Sequence, residues 1–142
     1  MKITLCSSAI YFDKLYKIKS SLEERGHTIF LPSMIDYHGL TETALFKIQH
    51  NLIRDHFNKI EQSDAIYVAN YDKDNIKGYI GGSVFLEMGK SFDKKIPIFL
   101  MNDVPQQIFY REEILALMPI VIGENWNDLE KLDESNLAQK IR

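Results

Sequence analysis

The chain has 142 residues, 45% of them hydrophobic, which suits one domain spanning residues 1–142 with a sizeable core. Its net charge is −3 with acids and bases interspersed. It therefore lacks the basic stripe of a nucleic-acid binder and the polybasic patch of a membrane-surface protein, and a small ligand or a protein partner is expected.

Cys6 is the sole cysteine, so an intrachain disulfide and a cysteine metal cluster are both excluded. The opening MKITLCSSAIYF reads as a strand rather than a signal peptide, and no apolar run approaches the roughly 20 residues that cross a bilayer. A soluble, cytoplasmic protein is expected.

In chain order, Lys2 to Ser7 reads as a strand, and Tyr11, Leu15, Ile18 and Leu22 then repeat at helical spacing up to Gly26. Thr28 to Leu31 is a second strand, stopped by Pro32, and residues 32–40 form a loop. One long helix follows, with Thr41 as N-cap, Leu40 stapled against Leu45, and a core stripe of Leu45, Ile48, Leu52, Ile53, His56 and Ile60. Ala65 to Ala69 is a continuous apolar strand of the kind buried on both faces. A glycine-containing loop then leads into a helix whose apolar face is Phe85, Met88, Gly89 and Phe92, followed by a strand at Pro97 to Met101. Residues 109–118 read as helix and Ile120 to Ile122 as a short strand, and Trp126, Leu129 and Leu132 mark a closing amphipathic helix.

Strands alternating with helices imply an α/β three-layer sandwich, flavodoxin-like or Rossmann-like, around a parallel sheet of about five strands. In such sheets ligands bind outside the carboxyl ends of the strands. Ser7-Ser8-Ala9, the Pro32 to Leu40 loop and Asn70 to Ser83 all fall at that edge.

Several signatures are missing. There is no G-x-G-x-x-G, no phosphate-loop G-x-x-x-x-G-K-[ST] and no G-x-S-x-G. Asp72-Lys73-Asp74 starts like a calcium loop, but Ile76, Lys77 and Ser83 stand where an oxygen ligand, a glycine and a glutamate are needed. The acidic cluster of a phosphoacceptor is absent after the first strand. His50 and His56 are six residues apart, on different helical faces, so the histidines point away from a metal site. His56 reads as a hydrogen-bonded, half-buried imidazole and Cys6 as a small buried hydrophobe.

Glu87 stands in the helix shortly after the glycines. The helix dipole favours negative charge there and would help keep the carboxylate ionised, which suits a nucleophile. Asp64, Asp72 and Asp74 are ordinary turn and loop acids taken singly, and gain interest by converging near Glu87. Residue type and spacing leave a solvated and a functional Glu87 equally open.

The segments LCSS, LEERGHTIFLP and SDAIYVANYDKDNIKGYIGGSVFLEMGKSFDKKIPIFL together resemble the nucleoside 2-deoxyribosyltransferase family over residues 2–101. The central match is G-x-x-x-x-E-x-G, here Gly82 to Gly89. The resemblance implies a flavodoxin-like fold and cleavage or transfer at the N-glycosidic bond of a deoxynucleoside or its monophosphate. It implies Glu87 as the nucleophile on C1′, no metal or organic cofactor, and Asn70 and Asp72 in the loop that orients sugar or base, with Asp72 a second catalytic candidate. Cys6, Ser7, Ser8, Tyr79, Gly81, Gly82 and Ser83 complete the expected substrate-binding set, Tyr79 either stacking on a base or packed over the loop.

Nucleotide-hydrolysing relatives often carry glycines after the first strand. Here Ser7-Ser8-Ala9-Ile10 stands in their place, so both nucleoside and nucleotide remain open. Relatives close each site with a neighbouring subunit, implying a homodimer or larger homo-oligomer, with Tyr37, Phe109, Tyr110 and Trp126 as candidate surface aromatics. The competing reading is a non-catalytic nucleotide-binding or sensor module. Glu87 in a closed, ligand-sized pocket beside a second carboxylate would favour the enzyme, and Glu87 paired with Lys90 or Lys94 on an open surface the module.

Overall fold

Period-two burial along the strands determines how the layers stack. In the computed structural model, which describes residues 1–33 and 43–131, strand β1 (Lys2–Cys6) buries Ile3 and Leu5 on one face and Thr4 and Cys6 on the other. Strand β3 (Ala65–Val68) is buried at every position, Tyr67 facing one layer and Ile66 and Val68 the opposite one. With β2 (Thr28–Phe30), β4 (Ile98–Leu100) and β5 (Ile120–Val121) they form a five-stranded sheet, parallel at every pairing, in the order β2-β1-β3-β4-β5. This is the expected α/β sandwich.

One face is covered by α1 (Leu15–Glu23), which contributes Leu15, Ile18 and Leu22, and by helical residues 126–131, which contribute Leu129. The opposite face is covered by α3 (Leu52–Glu61), α4 (Gly82–Asp93) and α5 (Arg111–Ala116), with Ile60, Met88 and Ile114 fully buried. The chain leaves β1 to one side and β3 to the other, so the crevice between their carboxyl ends is the switch point.

The expected single helix after residue 40 is two helices, α2 (Thr43–Gln49) and α3. Asn51 separates them at φ 51°, in the left-handed region that asparagine tolerates better than most residues. The break takes Leu45 and Ile48 off the common stripe, and both are exposed, as is Ile53. Leu40 and Thr41, the expected staple and cap, lie outside the described residues. The first helix also starts differently, as a 3-10 turn over Ala9–Lys14.

Two expected surface aromatics turn inward. Trp126 meets Tyr67 edge-on at 5.0 Å and Tyr110 stacks on Phe85 at 4.9 Å, whereas Phe109 is 97% exposed. Tyr37 lies outside the described residues. No described helix is long and apolar enough to cross a membrane.

Candidate active site

Glu87 owes its position to the buried stripe of α4. That stripe is Val84, Met88 and Ser91, rotated from the expected Phe85, Met88, Gly89 and Phe92. With Val84, Met88 and Ser91 toward the sheet, Phe92 is exposed. Glu87 is three residues after Val84 and four before Ser91, so it rides the inner edge of the helix.

There it faces a cavity of about 560 Å³, a size that suits a small organic ligand. Three expected segments line it: Ser7, Ser8 and Ala9 after β1, Pro32 and Ser33 after β2, and Lys73, Tyr79, Gly81, Gly82 and Ser83 before and at the start of α4. The fourth wall, made by Lys47 on α2 and by Leu52, Ile53, His56 and Phe57 on α3, was missed by sequence reading. His56 had carried the signal, a polar residue on an otherwise apolar stripe, but its role depends on which helix stands opposite.

Glu87 Oε2 lies 3.6 Å from His56 Nε2, and that nitrogen lies 3.6 Å from Cys6 Sγ. At that distance the carboxylate oxygen has a contact but no hydrogen bond, and it is buried without a partner among the described residues. Burial pushes Glu87 up to about 8, against the Cys6 thiol hydrogen bond and the charge of Lys47, which both pull it down. The expected dipole effect is therefore overruled. Glu87 lies beyond the first turn, where the helix-terminal field has faded, and desolvation dominates. Burial together with the Lys59 charge takes His56 down to about 4, and burial with the Glu87 charge raises the Cys6 thiol.

The remaining predicted residues sort by position. Tyr79 lines the cavity with Lys73 Nζ 5.1 Å from its ring centroid. Ser83 Oγ accepts a 2.9 Å hydrogen bond from Lys47 Nζ. Cys6 does not line the cavity; it is fully buried at the end of β1, behind Glu87 and His56.

Asn70 is not a lining residue either. It is spent on backbone, its Oδ1 accepting Asn102 N–H at 2.8 Å and its Nδ2 donating to the Asn102 carbonyl at 3.0 Å. Asp72 Oδ1 accepts Gly78 N–H at 2.9 Å, holding a turn in which Gly78 has φ +65° and a Cβ would fall 2.6 Å from the Asp103 carbonyl oxygen. Asp64 accepts Lys2 N–H at 2.8 Å. Asp64, Asp72 and Asp74 do not line the cavity, so the expected convergence of acids on Glu87 does not occur: Asp72 and Asp64 each answer a backbone N–H instead, one six residues on and the other on β1.

Lys90 and Lys94 both reach Glu61, at 2.7 and 3.7 Å, rather than Glu87. The open-surface arrangement that would have favoured the binding module is thus absent at Glu87, as is the second carboxylate among the described lining residues.

No sequence-family model matches the chain, and no curated protein matches it by sequence. Two solved structures share its fold. A 2-deoxyribosyltransferase from the psychrotolerant bacterium Bacillus psychrosaccharolyticus superposes with a TM-score of 0.58 at 20% identity, over 92% of this chain and 90% of that one. The CMP N-glycosidase BcmB of Clostridium botulinum superposes with a TM-score of 0.50 at 13% identity, over 94% and 99%.

Proposed function

We propose that the protein cleaves or transfers at the N-glycosidic bond of a nucleoside or nucleoside monophosphate, with Glu87 as nucleophile. The observation that carries this reading is Glu87 itself: a largely buried carboxyl group, its Oε2 without a hydrogen-bond partner among the described residues, facing a cavity of about 560 Å³ at the switch point of the sheet. Both fold neighbours are described as enzymes of N-glycosidic chemistry, which supports the same class here.

In the proposed reaction a Glu87 carboxylate oxygen attacks C1′ as the C1′–N bond breaks. The electron pair leaves with the base, which takes up a proton, and a glycosyl ester remains on Glu87. Attack on C1′ by water or by a second base releases the carboxylate. A poorly solvated carboxylate is suited to this, because the positive charge developing on the sugar stabilises its ionised form beside C1′. Tyr79 offers an aromatic face for the base.

Lys47, Lys73, Ser7, Ser8 and the start of α4 surround the cavity with cations and donors. This favours an anionic substrate, a monophosphate, over the plain nucleoside.

The test is incubation with deoxynucleosides, ribonucleosides and their monophosphates, with and without an acceptor base, followed by chromatography for free base. Glu87→Gln should stay folded, bind ligand and lose several orders of magnitude of turnover. A 2-fluoro-2-deoxy nucleoside with a good leaving group should leave a sugar adduct on Glu87, located by mass spectrometry. Near-normal turnover by the variant would place the nucleophile elsewhere, and binding without turnover by the wild type would favour the sensor module.

A further inference from the structure

Three elements bring chemically distinct donors to one point: Cys6 from the end of β1, His56 from α3 and Glu87 from α4. Their Sγ, Nε2 and carboxylate oxygen all lie within 4.8 Å of one another, with Sγ–Nε2 and Nε2–Oε2 both at 3.6 Å. Bond lengths of about 2.0–2.3 Å in a tetrahedral zinc site set its ligand atoms about 3.3–3.8 Å apart. The Sγ–Nε2 and Nε2–Oε2 separations fall in that range, and the thiol and carboxylate, within 4.8 Å of each other, need close by no more than about 1 Å to meet it. We propose that Cys6, His56 and Glu87 form a three-donor site for a thiophilic divalent cation of the zinc class, with the fourth position toward the cavity.

The donor set supports this choice. Thiolate and imidazole discriminate against magnesium and calcium, which take oxygen ligands. A thiolate and a carboxylate would neutralise the two charges of the ion, which a buried site requires. Binding displaces the thiol proton and any proton on the carboxyl group to solvent. His56 and Glu87 line the cavity while Cys6 sits behind them, so the open position faces the ligand space. The lone cysteine and the spacing of the histidines had pointed away from any metal, since no two of these donors share an element.

One consequence rests on the proposed function: a bound cation draws charge from the Glu87 carboxylate that would attack C1′, so the metal is an inhibitor rather than a cofactor. The site itself is tested without substrate. Chelator-treated protein is titrated with Co²⁺, and the expected result is a thiolate-to-cobalt charge-transfer band in the near ultraviolet that saturates at one ion per chain and is abolished by Zn²⁺. Cys6→Ser should lose the band. His56→Gln and Glu87→Gln keep the thiol and should weaken the affinity by more than about a hundredfold, since even outer partners of a metal site are worth about 10–100-fold.

Absence of the band in the wild type, or a band indifferent to both His56→Gln and Glu87→Gln, would overturn the proposal, and these two variants keep it testable if Cys6→Ser does not fold. In turnover assays one equivalent of Zn²⁺ should inhibit reversibly, with recovery on adding chelator. The cobalt band survives if no nucleoside is turned over, and turnover survives if no band forms, so the two readings fail separately.

Discussion

At the scale of single residues, Glu87 and His56 titrate in opposite senses because each is held in its neutral form by burial. Glu87 is raised from 4.5 to about 8, so the folded state holds a proton that the unfolded chain has lost, and stability falls as pH rises from 4.5 to 8. His56 is lowered from 6.5 to about 4, so the unfolded chain binds the extra proton and stability rises with pH from 4 to 6.5. From these two groups alone, stability should be level between about pH 4.5 and 6.5, where the slopes cancel, and should fall between 6.5 and 8. Glu87→Gln removes the whole limb from 4.5 to 8 and should make the protein more stable at pH 8 by on the order of 4 kcal/mol. Denaturant titrations at pH 5, 6.5 and 8 check this, and a variant less stable than wild type at pH 8 would contradict it.

The same shift shapes catalysis. With Glu87 as nucleophile, kcat/KM of the metal-free enzyme should climb about tenfold per pH unit and level off above about 8, whereas a general acid would lose activity there. Lys47 gives a second residue-scale expectation. Its ammonium is the charge nearest the start of α4, so Lys47→Met should abolish any preference for monophosphate over nucleoside, about tenfold or more in affinity by calorimetry. A preference that persists would assign the phosphate to another part of the cavity.

At the scale of elements, the break between α2 and α3 builds the fourth wall of the site. A continuous helix would carry Lys47 along the α3 axis. The left-handed Asn51 instead turns α2 so that Lys47 reaches Ser83. Asn51 N–H donates to the Ile48 carbonyl at 3.2 Å, and its own carbonyl accepts Asp55 N–H at 3.0 Å. Asn51→Ala should lower stability by about 1 kcal/mol through the unfavourable φ, and Asn51→Gly should restore it. Thermal unfolding of the pair tests this, and an alanine variant as stable as the glycine one would mean the turn relaxes. The helical pattern of the segment was legible from Leu52, His56 and Ile60. The break was not, because asparagine is compatible with helix interior and left-handed turn alike, and only the packing of both flanks selects one.

At the scale of the whole molecule, the cavity rim exposes Ile10, 65% accessible, and Ile53, 43% accessible. Apolar side chains at the edge of a ligand site suit coverage by a second copy of the chain, and we expect a homodimer or larger assembly. Sedimentation at tens of micromolar should give at least twice the monomer mass, and Ile53→Lys should shift it toward monomer. A wild type sedimenting only as monomer would count against the assembly.

The sequence by itself determined the strands, their parallel arrangement and the edge where ligands bind, because period-two and continuous apolar runs such as Ala65–Val68 can be buried in few ways. Local order also placed Ser7, Ser8, Tyr79 and the glycines at 81 and 82 at that edge, while it took the family resemblance to single out Glu87. Only the tertiary structure decided which acids stay local, as Asp72 does at Gly78, and which one enters the cavity. It alone brought His56 and Cys6 to Glu87, from 31 and 81 residues earlier in the sequence. Such a meeting leaves no local trace: desolvation and donor spacing depend on what stands opposite a residue, and a one-dimensional pattern reports only the face on which it stands.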